Sequence, residues 1–110
     1  MQVLSKTPSG KILTTSELVA YQEEAVVSRT LSQTKNGTVT VFAFDEGQGL
    51  SEHTAPFDAM AFIIEGEAQV TIQEKEHFLK VGEMIIMPAN QPHSLVASKK
   101  FKMLLVMIRS

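Results

Sequence analysis

From Val26 onward the chain is a series of short apolar runs, each closed by glycine, asparagine, proline or charged residues. The runs recur about every 8–12 residues, the spacing of turn signals in β-sandwiches and barrels. Residues 26–32 form the first predicted strand. Lys35-Asn36-Gly37 follows, where Asn-Gly is expected to supply the positive φ angles of a tight hairpin. Residues 38–44 are rich in β-branched and aromatic side chains and end at Asp45-Glu46-Gly47-Gln48-Gly49. Residues 59–64 stop at Glu65-Gly66-Glu67, and 68–73 return from that turn. A polar turn, Glu74-Lys75-Glu76, precedes residues 78–81 and Gly82. Residues 84–87 lead into Pro88-Ala89-Asn90, 94–97 lead into the lysines at 99, 100 and 102, and 101–108 close the series. The pattern predicts an all-β domain, a sandwich or barrel.

Two features modify that picture. Ahead of the strands, Thr14 and Glu17 have the spacing of a capping box before Leu18 and Val19, which predicts one or two helical turns. Residues 1–25 are therefore expected to be a short N-terminal arm wrapped on a barrel of residues 26–110, not a second domain. Residues 59–64 and 103–108 are apolar on both faces, whereas a half-exposed strand alternates. Something must cover the outer face. So short a chain has few residues to spare for cover, so the expected cover is a second subunit, giving a homodimer.

Composition narrows the functions. A length of 110 residues allows one core. The net charge of −2, with no basic block beyond the three clustered lysines, argues against nucleic acid as a partner. The longest apolar runs have six residues, far from the ~20 of a spanning helix, so no membrane partner is expected. Met1 to Gly10 lacks the apolar stretch of a signal peptide. No cysteine is present, which removes disulfides, thiolate zinc sites and cysteine nucleophiles and fits the cytoplasm. Phosphate loops, HExxH helices and Gly-x-Ser-x-Gly elbows are also missing.

The chemistry that remains is in the histidines: His53, His77 and His93. Gly47-Gln48-Gly49-Leu50-Ser51-Glu52-His53-Thr54-Ala55, running on through Ala59 to Gly66, resembles the first motif of the cupins: Gly, five residues, His-x-His, three or four residues, Glu, six residues, Gly. Gly82 to Pro88, Asn90, His93 and on to Ala97 is similar to the second, which is Gly, five residues, Pro-x-Gly, two residues, His, three residues, Asn. With their flanking strands the two motifs cover roughly residues 38–108. The resemblance implies a cupin jelly-roll β-barrel, of the RmlC-like type, that holds a metal or ligand in its interior.

It also implies a degenerate metal site. The family's ligands are two histidines and a glutamate from the first motif and one histidine from the second. His53 and His93 stand at two of those positions, while Ala55 and Ala59 occupy the other histidine and the glutamate positions. Asn90 replaces the motif glycine, a mild change because asparagine tolerates a left-handed backbone. Ala97 replaces the terminal asparagine. Two imidazoles are a thin ligand set for a divalent transition ion (zinc, iron, manganese or nickel), since tight sites present three or four side chains. Asp58 would add a carboxylate only if the loop at Pro56 slips by one residue, because alternation puts it opposite Ala59, Ala61 and Ile63. The two alanines leave apolar space, with Ala55, Phe57, Ala59, Ala61, Ile63 and Leu95 as the expected lining. Such a pocket suits a hydrophobic or aromatic molecule with one polar or anionic group. His77 is expected to be structural, in the polar turn. Met60, Met84, Met87, Met103 and Met107 serve as core filler or as an adaptable lining.

Three functions stay open on these residues. The first is binding of a small molecule in the barrel, with or without an ion on His53 and His93. The second is a metal-dependent enzyme of dioxygenase, isomerase or decarboxylase type. The third is a structural dimer with a filled barrel. The missing ligands weigh against the second and the retained histidines against the third, so the first is the expectation carried forward.

Overall fold

The computed structural model describes residues 8–109, so the first seven residues of the expected arm, and Ser110, lie outside it. Among the described residues there are nine strands: β1 (Val26–Thr34), β2 (Gly37–Phe44), β3 (Gly49–His53), β4 (Ala59–Glu65), β5 (Glu67–Ile72), β6 (Lys75–Lys80), β7 (Met84–Met87), β8 (His93–Val96) and β9 (Phe101–Ile108). They form two antiparallel sheets, one of order β1-β2-β9-β4-β7 and one of order β3-β8-β5-β6. This is the all-β jelly roll. Among the described residues no helix is long and apolar enough to cross a membrane.

The core lies between the sheets and is built by strict alternation. On the five-stranded sheet Phe42, Phe44, Ala59, Ala61, Ile63, Met87, Phe101, Met103 and Leu105 point inward, and Ala68, Val70, Leu79 and Leu95 meet them from the other sheet. The aromatic rings gather at one end, where Phe44 stacks on Phe101 with centroids 4.6 Å apart and on Phe42 at 5.8 Å. Such pairs add about 0.5–1.5 kcal/mol each beyond the area they bury. At the opposite end the last inward row of the same sheet contains no aromatic ring. The last inward row reads Thr38, Met107, Ala59 and Met87 across β2, β9, β4 and β7.

Two turns differ from expectation. The β1–β2 connection is Lys35-Asn36, with Thr34 paired to Gly37, and neither Asn36 nor Gly37 has positive φ. Gly37 is needed for another reason: it lies in the ladder so close to the Met107 carbonyl that a Cβ there would collide with it. The β5–β6 turn is Gln73-Glu74, not Glu74-Lys75-Glu76. Both residues take left-handed backbone, with φ of 48° and 69°, the geometry that closes a two-residue hairpin. Lys75, Glu76 and His77 are consequently strand residues.

Ahead of β1, residues 15–17 make a single 3-10 turn. The capping box does not form, because the Thr14 side chain makes no cap bond and only its backbone carbonyl accepts from Glu17 N–H at 2.9 Å. From there Leu18, Val19 and Tyr21 pack on the outer face of the five-stranded sheet against Val27, Val41, Ala43, Ile64 and Leu104. A polar clasp holds them down. The Tyr21 hydroxyl donates to Glu65 Oε2 at 2.5 Å, and Lys102 Nζ donates to the Ser16 carbonyl at 2.6 Å and lies 3.7 Å from the same carboxylate. Burial first, and then the Glu65 carboxylate, push the Tyr21 phenol above its ordinary pKa.

Candidate functional site

An irregularity in β3 turns His53 to the side of the sheet that His93 faces. Leu50 pairs with Leu95, and His53 pairs with His93, so β3 spends three residues where β8 spends two. In a regular strand Glu52 would follow Leu50 onto the inner face and His53 would point to solvent. The extra residue reverses that parity, as a β-bulge does. The result is a pair of imidazoles on neighbouring strands, with ring centroids 4.4 Å apart and the planes at 68°. His93 is buried and His53 is exposed, so the pair spans from core to surface.

The backbone sets the state of both rings. His53 Nδ1 lies 2.7 Å from the Ser51 carbonyl and His93 Nδ1 lies 3.2 Å from that of Gln91. A carbonyl only accepts, so each Nδ1 carries a proton and donates, and in a neutral ring held this way Nε2 keeps the lone pair. A donor bond from one ring nitrogen to a carbonyl is also the usual support of a metal-binding imidazole. Burial holds His93 below its ordinary pKa. The Gln91 carbonyl works against this, and the neighbouring His53 adds to it. His93 is therefore a neutral acceptor at neutral pH.

The walls of this end follow from topology. β3 follows β2 through the turn at residues 45–48 and runs back in the other sheet, paired with β8. The four steps from Gly49 to His53 cover about 13 Å at ~3.3 Å per residue. That returns His53 to the level of Thr40 and Thr38, away from the stacked phenylalanines. Ala59 and Ala61 face inward at that level and are buried, and Leu95 and Ile63 are buried one row deeper. Ala55 is half-buried in the loop before β4, where its carbonyl accepts from Asn90 N–H at 2.7 Å. Asn90 has a φ of 63°, the left-handed backbone expected of its motif position.

Other expected residues sit elsewhere. Asp58 is exposed, and its Oδ1 accepts from Ala89 N–H at 2.8 Å. Phe57 lies under the Arg109 guanidinium, 5.2 Å from it. Both line a concavity of about 410 Å³ with Pro56, Met60, Ile86, Ala89 and Ile108, on the outer side of the five-stranded sheet. His77 belongs to β6 and is paired with the buried Val70, so it faces inward at the far edge of the sheet from His53. There it borders a groove of about 370 Å³ with Lys75, Ile72 and Ile85.

What sequence reasoning missed is the wall opposite the imidazoles. Ser28, Thr30, Thr38 and Thr40 are all buried, and all point inward from β1 and β2. The signal was present in residues 38–44, whose even positions run Thr, Thr, Phe, Phe on one face. For a metal, the residues present offer two free Nε2 atoms, and among the described residues no group of three or more His, Asp or Glu side chains converges.

The profile of the cupin domain matches residues 40–109. Among solved structures the chain is similar to a conserved protein of unknown function from Streptococcus pyogenes, at 35% identity over 100% of this chain and 96% of that one, with a TM-score of 0.91. It is 37% identical to a cupin 2 conserved barrel domain protein from Leptotrichia buccalis, over 86% of this chain and 46% of that one, with a TM-score of 0.83. A cupin superfamily protein from Desulfitobacterium hafniense superposes with a TM-score of 0.89 at 26% identity, over 97% of this chain and 98% of that one. Comparison with curated proteins gives no match.

Proposed function

The chain belongs to the cupin family, and on that premise we propose that it binds a small molecule at the histidine end of its barrel, with His53 and His93 as the polar anchor. The observation that carries this reading is the imidazole pair itself: two rings 4.4 Å apart, both held as Nδ1–H tautomers, with the bulge in β3 turning His53 toward His93. A bulge is a local departure from the ladder, and bulges are over-represented where a side chain must be re-aimed beside a site. Ala59, Ala61 and Leu95 are buried on the inward faces at and just below that end, which favours a mostly hydrophobic or aromatic body, and the imidazoles favour one oxygen-bearing or anionic group.

The two Nε2 atoms are also the positions that would hold a divalent transition ion, which would supply Lewis acidity to the bound group. With two protein ligands, its other positions fall to water and to the ligand's oxygens, so affinity for the ion depends on what else is bound. The enzyme alternative has no observation in its favour here, because among the described residues no carboxylate joins the pair.

The test is metal analysis of untagged protein after incubation with Zn²⁺, Fe²⁺, Mn²⁺ or Ni²⁺, beside a His53→Ala/His93→Ala variant. A single equivalent of ion that disappears in the variant supports the pair as ligands. No ion in either protein refutes the metal. Imidazole signals that no small organic acid perturbs refute the binding site as a whole.

We propose further that the protein is a homodimer paired through the outer face of its five-stranded sheet. The arm covers one half of that face. The other half presents Val39, Val106, Met60 and Ile86 in one cross-strand row, flanked by Ile108, Phe62 and Met84. These side chains are uncharged, Met84, Ile86 and Ile108 are exposed, and Asp58 borders them beside Met60 and Ile86. A neutral apolar strip pairs with its own copy without like-charge conflict, and it offers nothing to a charged partner.

A further inference from the structure

Thr38 has a hydroxyl that the fold does not use. Its Oγ1 is buried without a hydrogen-bond partner, and the residue is 9% exposed. A buried hydroxyl left unpaired costs about 1–3 kcal/mol, so such groups are rare unless something else completes them. Its position puts it at one end of the barrel. Thr38 shares the inward face of β2 with Thr40, Phe42 and Phe44, two of which belong to the core. It lies in one cross-strand row with Met107, Ala59 and Met87. Ala59 contributes only a methyl group to that row. The antiparallel return of β3 brings His53, and with it His93, to this end of the barrel. Hence one unsatisfied hydroxyl and two imidazoles mark the same end of the barrel.

Building on the ligand site proposed above, we infer that Thr38 is a specificity-determining contact of that site, its hydroxyl donating to an oxygen of the bound molecule. The ligand it selects carries oxygen at two places, one met by the imidazole pair and one by Thr38, on an otherwise apolar or aromatic body. An aromatic hydroxy acid has that character. The free protein tolerates the orphan hydroxyl because the rest of the molecule overdetermines β2, and the bound molecule supplies the missing acceptor.

The experiment uses salicylate as the probe, titrated into the full chain and followed by NMR and calorimetry. It compares wild type with Thr38→Val, which keeps the shape and loses the hydroxyl, and Thr38→Ser, which keeps the hydroxyl. The expected result is that salicylate moves the ring signals of His53 and His93, that Thr38→Val weakens its affinity about tenfold, and that Thr38→Ser stays within about twofold. In the absence of salicylate, Thr38→Val should melt no lower than wild type, because it removes an unpaired group. Equal affinity for wild type and Thr38→Val overturns the role of Thr38 while leaving the histidine site standing. A lower melting point of free Thr38→Val also overturns it, since the hydroxyl would then be bonded within the protein or to trapped water. If salicylate leaves both rings unmoved, the ligand site fails, and the role of Thr38 with it.

Discussion

At the scale of single residues the site is a matter of where protons sit. His93 is neutral because it is buried, and the nearby His53 resists a second charge. The pH dependence follows from linkage. A histidine whose pKa is lower in the folded than in the unfolded chain binds fewer protons when folded, so its contribution to stability is fully present above the unfolded value near 6.5. That contribution is lost as pH falls from there through the folded value. We therefore expect urea midpoints that are flat above about pH 7 and decline below pH 6.5. His93→Asn should flatten the decline, and an unchanged slope in that variant would assign the acid sensitivity to another group. Much at this scale was legible beforehand. The positions of His53 and His93, and the left-handed backbone of Asn90, could be read from motif spacing, because turn chemistry and residue type are local. Thr38 was not legible as a site residue. A threonine in a β-branched run looks like any strand former, and only the three-dimensional count of donors and acceptors shows that its hydroxyl lacks a partner.

Individual elements show where local rules lose to neighbours. The capping-box spacing of Thr14 and Glu17 predicted helix, and a single 3-10 turn formed without the cap. Helix nucleation is costly, and Leu18, Val19 and Tyr21 gain more by lying flat on the sheet than by coiling. The polar turn expected at Glu74-Lys75-Glu76 moved one residue earlier. The register of β5 and β6 is set by burying Val70 and Leu79, and it leaves only Gln73 and Glu74 to close the hairpin. The arm itself is pinned by few groups, so it is open to a direct test. Tyr21→Phe removes the donor to Glu65 and keeps the ring between Lys100 and Lys102. A hydrogen bond to a charged acceptor is worth about 1.5–3 kcal/mol, and partial exposure of Glu65 puts this one at or below the lower figure. The expected outcome is a loss of several degrees in melting temperature, with faster amide exchange over residues 15–24. Unchanged exchange there would mean that packing alone holds the arm.

For the whole molecule, the outer face of the five-stranded sheet matters most. Two strands that are apolar on both sides predicted cover, and among the described residues Leu18, Val19 and Tyr21 of the arm provide it for one half of the face. The proposed dimer takes the other half. Ile86→Lys places a charge in the middle of the bare strip, and the expected result in sedimentation is conversion from dimer to monomer with the fold intact by circular dichroism. A wild type that already sediments as a monomer at tens of micromolar would end the dimer proposal. By itself the chain determined its all-β class, eight of its nine strands to within a few residues, and the two histidines. These depend on alternation, on turn-forming residues and on side-chain identity, all carried by neighbours a few positions apart. Only the tertiary structure decided that β3 contains a bulge, that His53 rather than Glu52 therefore faces His93, and that Phe57 lies on the outer side. The physical reason is parity. One unpaired residue in a strand exchanges its inner and outer faces, and whether it is inserted depends on how β3 settles against β8, more than forty positions away.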